Sequence, residues 1–193
     1  AGPSDPGDRH KQKQIQMTAD QRKCGLALMR LAYVFQLTYV GNPSIYYGDE
    51  VGMEGYRDPF NRRTYPWDHI SQDGQEQLSF FKSFSTFRKA NPVLKTGSYK
   101  TLTTTDQLFV FERTLSEDRK DFFGREQDGP RRIVVAFNSS TSEACHFDLE
   151  CAYSDGAETL SRDQKAIYPF CEQIKGPLRI SVNPLEYRVY FEV

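Results

Sequence analysis

The feature that most constrains the fold of this 193-residue chain is a change of hydrophobic period near Leu94. Before this residue, apolar side chains recur at helical spacing. After it they alternate in short runs that are separated by Gly, Pro, Asn and Asp. Because helices and strands are segregated along the chain, we predict an α+β arrangement with a helical first part and an all-β second part.

Two helices are predicted in the first part. Thr18 and Gln21 have the spacing of a capping box, which satisfies the first free N–H groups of a helix, and we expect this helix to cover residues 20–39. The second helix is predicted to be capped by residues 73–76. It should end at Asn91, because a residue that precedes a proline is disfavoured in the helical region.

The second part is predicted to be a sandwich of about six to eight strands. Its strand-like runs cover residues 98–102, 108–115, 132–138, 144–149, 178–182 and 187–193. The charged segment 116–130 is interpreted as a mobile hairpin insertion, and residues 150–170 give no clear pattern.

Charge and hydropathy exclude several classes of partner. The net charge is −1, so no large basic field is available to attract nucleic acid. No run of 18 apolar residues is present, and we expect no membrane partner. No signal peptide is visible either, which leaves the localisation open with a slight preference for the cytoplasm.

Metal and cofactor sites are not expected. The four cysteines show no C-x-x-C spacing, which makes a zinc site improbable, and no D-x-D calcium loop or Gly-rich phosphate loop occurs. Cys145 and Cys151 either pair within a hairpin or remain free thiols, and the sequence leaves both alternatives open.

The segment 41–67 is the strongest candidate for a binding site. Residues 44–47 are apolar and aromatic and are interpreted as a short buried strand, after which a loop crowded with charged side chains runs to Trp67. A strand that delivers such a loop is a common way to position a binding site. Long loops without structure of their own are usually functional or disordered, and the aromatic content argues against disorder.

The motifs of this segment resemble a known family. The pattern Gly-x-Pro-x-Ile-Tyr-Tyr-Gly-Asp-Glu-x-Gly, which begins at Gly41, is similar to the region of the eighth strand of the (β/α)8 barrel in the α-amylase family of glycoside hydrolases. The motifs Glu-Gly, Asp-Pro, Asn-Arg-Arg and Pro-Trp that follow at residues 54–67 resemble the neopullulanase and cyclomaltodextrinase branch.

The resemblance implies a domain arrangement and an activity for the whole enzyme. Residues 1–17 would be a flexible lead-in, residues 18–92 the last helix–strand–helix of the barrel, and residues 93–193 a C-terminal all-β sandwich domain. The parent enzyme would cleave α-1,4 or α-1,6 glucosidic bonds in α-glucan oligosaccharides by a retaining mechanism. The rest of the catalytic barrel would then be a partner of this chain.

No catalytic residue is expected within the chain. In the resembled family the nucleophile and the general acid lie at the ends of earlier barrel strands, and a third essential Asp follows a His, whereas none of the three histidines here precedes an Asp. Asp49 and Glu50 are adjacent, and on extended backbone they would point to opposite faces. We expect them to accept loop N–H groups or to pair with an Arg, and we expect the isolated chain to be inactive.

The resemblance implies substrate-binding roles for Asp58 and Arg62, which align with residues that hydrogen-bond glucose hydroxyls in the neopullulanase-like branch. The alternative is an internal ion pair that only shapes the loop. Phe60 departs from the branch, which usually carries Asp at this position, and this difference could change the loop packing or the sugar contact.

The aromatic residues Tyr46, Tyr47 and Trp67 are weaker candidates. They could stack on sugar rings, or they could pack the mouth of the barrel. A rival interpretation of the whole chain is a non-enzymatic module whose sandwich binds carbohydrate or stabilises its neighbour.

An incomplete barrel should expose apolar surface, because unpaired strand edges and unpacked helices recruit other chains. We expect a homo-oligomer, or association with the rest of the barrel, through this half. The residues expected on the exposed surface are Leu28, Leu31, Phe35, Phe81 and Phe84.

Overall fold

A computed structural model describes residues 7–150 and 171–192. The helices are α1 (Arg9–Gln12), α2 (Ala19–Thr38), α3 (Gln72–Ala90) and α4 (Pro92–Thr96), and a 3-10 turn covers Asp49–Val51. The strands are β1 (Ser98–Thr104), β2 (Leu108–Thr114), β3 (Arg132–Asn138), β4 (Cys145–Leu149), β5 (Cys171–Gln173), β6 (Leu178–Val182) and β7 (Glu186–Glu192). Cys151, and with it the suggested pairing with Cys145, lies outside the described residues.

The start of α2 confirms the predicted capping box. The Thr18 hydroxyl accepts from the Gln21 backbone N–H at 3.2 Å, and the Gln21 side chain accepts from the Thr18 N–H at 3.0 Å. The start of α3 differs from the prediction, because Ser71 and not Asp73 is its N-cap residue. Asp73 lies inside the first turn, where its carboxylate binds Arg22 from α2.

The strands form two sheets in the described part of the chain. The larger has the order β1-β2-β3-β7-β5, and β4 pairs with β6. Neighbouring strands are antiparallel except for β5, which runs parallel to β7. All six predicted runs contain strands. The seventh strand, β5, was not predicted, and it follows the segment 150–170 that gave no clear pattern in the sequence.

The predicted strand at residues 44–47 is wrong. These residues form no ladder with any described segment, and the Gln36 side-chain amide donates to the Ser44 carbonyl oxygen at 3.0 Å. A strand requires a neighbouring strand that satisfies its backbone groups, and the described residues supply none here. Tyr46 and Tyr47 are exposed in consequence.

The five-stranded sheet is the middle of three layers. One of its faces packs against the helices, and the opposite face packs against the β4–β6 pair. The helix-facing core contains Val34, Leu37, Phe84, Phe87, Phe111, Ile133, Val135, Val189 and Phe191. One apolar core therefore crosses the predicted boundary at residues 92 and 93. The division into a barrel remnant and a sandwich stays a prediction.

This shared core corrects the expected exposed surface. Leu31 and Phe84 are buried, because the sheet covers the inner side of both helices, and the Phe84 ring lies 5.5 Å from the Tyr187 ring. Phe81 is half-buried against Tyr33, at 5.0 Å between ring centroids. Leu28 and Phe35 are exposed as predicted, at 45% and 38%, although the Phe35 ring also lies 6.4 Å from the Phe111 ring of the sheet.

Two buried arginines join the helices to the sheet. Arg88 of α3 donates to the carbonyl oxygens of Leu37 at 2.8 Å and Gly41 at 2.6 Å. Arg113 of β2 donates to the Thr38 carbonyl oxygen at 3.1 Å. The last carbonyl groups of a helix have no intrahelical donor and carry a partial negative charge, so the two guanidinium groups together cap the end of α2.

Candidate functional site

The loop that follows residue 47 begins with a tight turn. Gly48 and Gly52 both have positive φ, at 92° and 61°, and they bracket the 3-10 turn. The Glu50 carboxylate accepts from the Gly48 N–H at 2.9 Å, which confirms the expected structural role of Glu50. The sequence suggested extended backbone at Asp49 and Glu50, but these two residues form a 3-10 turn. Burial, and then the charge of Glu50, raise the pKa of Asp49.

Asp58 and Arg62 form an ion pair at the outer end of this loop. Their side chains are 64% and 61% exposed, and the Arg62 N–H donates to the Pro59 carbonyl oxygen at 3.1 Å in the turn between them. The structure thus brings the two predicted residues together. Because exposed ion pairs contribute about 0–1 kcal/mol to stability, a role confined to holding the loop would be a weak one.

The predicted aromatic residues lie on the same loop and are exposed. The rings of Tyr46 and Tyr47 are 4.8 Å apart, and the Tyr47 hydroxyl donates to the Arg63 carbonyl oxygen at 3.0 Å. Trp67 is 78% exposed, and its ring lies 4.6 Å from the ring of Tyr65. Desolvation, and then the neighbouring Tyr46, raise the pKa of Tyr47.

A cavity of about 230 Å³ opens between the two tyrosines and the loop. It has both aromatic walls and polar groups, which suits a small polar ligand. Asp58, Arg62 and Trp67 are not among its lining residues, which are Tyr46, Tyr47, Asp49, Met53, Glu54, Gly55 and Asn61.

Arg22 fastens the loop to both long helices, and the sequence analysis missed it. Its guanidinium donates to the Gly52 carbonyl oxygen at 2.9 Å and to Glu54 at 3.2 Å, and it makes two hydrogen bonds to Asp73. The hydrogen bond from Arg22, followed by that from Ser71, lowers the pKa of Asp73 to about 2. No local pattern signals this contact, because Arg22 and Asp73 are 51 residues apart.

Neither a metal-binding cluster nor a membrane-spanning helix occurs in the part of the chain that the structure describes. Within 7–150 and 171–192, no group of three or more His, Cys, Asp or Glu side chains is arranged to hold a metal ion. No helix in these ranges is long and apolar enough to cross a membrane.

Comparison with curated proteins identifies relatives of much greater length, although no family model matches the chain. An amylopullulanase of Thermoanaerobacter thermohydrosulfuricus is 39% identical over 128 residues, which cover 66% of this chain and 8% of that protein. A cyclomaltodextrinase of Thermoanaerobacter pseudethanolicus is 42% identical over 118 residues, or 61% of this chain and 18% of that protein. Neopullulanase 2 of Thermoactinomyces vulgaris is 38% identical over 93 residues, which cover 47% of this chain and 16% of that protein. The chain therefore spans less than a fifth of each of these relatives.

Solved structures agree with these relatives. A debranching enzyme of Nostoc punctiforme is 26% identical with a TM-score of 0.60, over 87% of this chain and 31% of that chain. An α-amylase of Anoxybacillus, at 20% identity and a TM-score of 0.61 over 86% and 32% of the two chains, supports the fold alone. The chain belongs to the α-amylase family of glycoside hydrolases, in its neopullulanase and cyclomaltodextrinase branch, and corresponds to a C-terminal portion of such an enzyme.

Proposed function

We propose that this chain is the C-terminal portion of a retaining glycoside hydrolase that acts on α-1,4- and α-1,6-linked glucans. In this proposal the chain supplies sugar-binding loop residues, and the catalytic carboxylates lie elsewhere in the enzyme. The names of the relatives support the substrate class, since they are amylopullulanases, a cyclomaltodextrinase and a neopullulanase. The observation that carries the site is the exposed Asp58–Arg62 pair on a loop with exposed aromatic side chains.

Asp58 and Arg62 have the chemistry that glucose hydroxyl groups require. The carboxylate accepts hydrogen bonds, the guanidinium donates them, and both groups are within reach of a ligand because they are exposed. Charge-assisted hydrogen bonds are about twice as strong as neutral ones, so a neutral sugar gains most from such a pair when water is excluded. The nearby exposed faces of Tyr46, Tyr47 and Trp67 could exclude that water by packing on the sugar.

The setting of Asp49 and Glu50 supports a structural role for both residues. Glu50 is bound to the turn that it belongs to, and Asp49 is adjacent to it. A retaining mechanism requires two carboxyl groups on either side of the scissile bond, about 5–5.5 Å apart, which two neighbouring residues of one turn do not provide. We therefore propose that the isolated chain is inactive.

The partner that completes the enzyme would be the rest of the catalytic barrel. Leu28 and Phe35 of α2 are exposed and line a cavity of about 600 Å³. Its other lining residues are Gly25, Met29, Ala32, Tyr33, Gln36 and Asp49. The Tyr33 hydroxyl is buried and has no hydrogen-bond partner among the described residues. An apolar helix face, small residues and a buried unsatisfied hydroxyl are features of a surface that another part of the protein covers.

The test is a chimeric enzyme. The corresponding portion of the Thermoanaerobacter pseudethanolicus cyclomaltodextrinase is replaced by this chain, and hydrolysis of cyclodextrins and pullulan is measured. We expect activity in the chimera and none in the isolated chain. Asp58→Ala and Arg62→Ala should each weaken kcat/KM by about tenfold, the equivalent of about 1.4 kcal/mol. The matched control is Asp118→Ala, which removes another exposed ion pair, with Lys120 at 3.9 Å.

Two results would count against the proposal. If the chimera hydrolyses glucans equally well with and without Asp58, the loop does not bind substrate. If the chimera folds but has no activity while the isolated chain binds maltotriose, the non-enzymatic carbohydrate-binding module is the better interpretation. The apolar core shared by helices and sheet also fits the version of that alternative in which the sandwich stabilises its neighbour.

A further inference from the structure

The hairpin that joins β2 to β3 has a defined conformation, although the sequence suggested a mobile insertion. Lys120 and Glu126 form a β-bridge, and the Ser116 N–H donates to the Lys120 carbonyl oxygen at 2.9 Å. The Phe122 N–H donates to the Thr96 carbonyl oxygen at 2.9 Å, which fixes the hairpin against α4. The segment thus presents its tip in one orientation.

Asp121 organises the tip. Its buried side chain accepts from the backbone N–H groups of Phe123 and Arg125, both at 2.9 Å, and from the Gln127 side chain at 2.9 Å. These hydrogen bonds satisfy the polar groups of the turn from within. The conformation of the tip therefore does not depend on the two phenylalanines that it carries.

Phe122 and Phe123 form an exposed aromatic pair, which we name the hairpin tip pair. They are 76% and 65% exposed, and their rings lie 5.6 Å apart at an interplanar angle of 89°. The Arg125 guanidinium lies 5.7 Å from the centroid of the Phe123 ring. Adjacent phenyl rings that bury little surface do not stabilise the fold, and an exposed apolar patch with a charged rim marks an interaction site.

The charge around the pair selects among ligands. Segment 116–130 carries more acidic than basic side chains, so anionic membranes and nucleic acid would be repelled. A neutral ligand with apolar faces and many hydroxyl groups meets no such repulsion. Pyranose rings present C–H faces that can pack on the phenyl rings, while Arg125 and Glu126, both exposed, can donate to and accept from hydroxyl groups.

We propose that the hairpin tip pair is a second glucan-binding site, separate from the Asp58–Arg62 loop. In this site Phe122 and Phe123 pack on glucose units of an α-glucan chain, and the Arg125 side chain binds their hydroxyl groups. The identity of the ligand rests on the proposed function, whereas the presence of an interaction site rests on the exposure and the fixed geometry of the pair. Because the tip is ordered before binding, little conformational entropy is lost when the ligand binds.

The test is affinity electrophoresis of the chain in native gels that contain amylopectin. We expect the wild-type chain to be retarded, and the variant Phe122→Ala/Phe123→Ala to need about tenfold more polysaccharide for the same retardation. Leu178→Ala is the matched control, since Leu178 is another exposed apolar side chain, on β6. Retention of the wild-type melting temperature by the double variant would show that its fold is intact.

The second arm separates this site from the proposed function. Asp58→Ala should remain retarded through the hairpin tip pair, so loss of retardation in Asp58→Ala alone would overturn the hairpin site and support the loop. Equal retardation of the double variant and the wild type would also overturn it. A third result would refute a glucan site and assign the pair to a membrane. In that result the wild-type chain is not retarded in the gel but binds phosphatidylserine vesicles, and the double variant does not bind them. The chimera experiment reports on the proposed function independently of all these outcomes.

Discussion

Arg113 offers the sharpest test of how the two parts of the fold are joined. Its guanidinium donates to three carbonyl oxygens, those of Thr38 at 3.1 Å, Leu94 at 2.7 Å and Gly97 at 2.8 Å. Burial, and then the charge of Arg88, lower its pKa to about 10. The group is therefore costly to bury, and the three hydrogen bonds must offset that cost.

Arg113→Met keeps an apolar stem but removes every donor. The Leu94 carbonyl oxygen retains a hydrogen bond from Arg88 at 3.1 Å, whereas the oxygens of Thr38 and Gly97 lose the one that Arg113 provides. Each buried polar group left unsatisfied costs about 1–3 kcal/mol. Relief of the desolvated charge offsets part of this, so we expect the free energy of unfolding to fall by about 3 kcal/mol, and the melting temperature by about 6–12 °C.

Urea unfolding followed by far-UV circular dichroism measures the effect. Fluorescence is a poor probe, because the one tryptophan, Trp67, is exposed in the native state. Arg113→Lys should be intermediate, since one ammonium group cannot reach carbonyl oxygens on both sides as a planar guanidinium does. Arg179→Ala, an exposed arginine of β6, should change stability by less than about 0.5 kcal/mol. If Arg113→Met behaved like this control, Arg113 would not join α2 to the sheet.

Three further predictions use other contacts. Gly97→Ala should destabilise the chain by about 1–3 kcal/mol in the same urea assay, because a Cβ atom there would meet backbone carbonyl oxygens of α4 and β2. The control is Gly176→Ala, which should be neutral because a Cβ atom at Gly176 would have open space around it. The pKa of Asp73 is lowered from 3.8 to about 2, so its carboxylate stabilises the folded chain above pH 4. This contribution to the free energy of unfolding is lost as the pH falls from about 4 to 2. In Asp73→Asn the free energy of unfolding should fall less over this pH range, by at most about 1 kcal/mol, because the Asp73 side chain is 39% exposed. The same pH dependence in Asp73→Asn and the wild type would contradict the role of Arg22. Light scattering across a concentration series should show self-association that Leu28→Lys weakens and Leu178→Lys does not, and a monomer at all concentrations would refute an exposed barrel face.

The core that the helices and the sheet share bears on whether the strands can fold as a unit without the first 90 residues. Phe111, Val135 and Phe191 lie on the side of the sheet that α2 and α3 cover. Removing the helices would expose this side to water, so we expect the sandwich segment alone to melt without cooperativity.

Local chemistry explains what the sequence determined. The capping box at Thr18, the period of two in the strands and the Gly, Pro and Trp motifs of segment 41–67 depend on neighbours within a few residues, and these gave the helix start, six strands and the family. Asp58 and Arg62, four residues apart, could be paired for the same reason. Their binding role stays a prediction, because the spacing of two residues does not identify the ligand that they bind.

Only the tertiary structure decided the features that depend on distant residues. The capping of α2 by Arg113 joins residues 75 apart, and Arg22 contacts the loop at Gly52, 30 residues away, and α3 at Asp73, 51 residues away. The failure of residues 44–47 to form a strand has the same origin, since a local pattern can favour extended backbone but only a neighbouring strand can satisfy its N–H and C=O groups. Local sequence set the conformation of each segment, and long-range hydrogen bonding and burial decided which segments were joined.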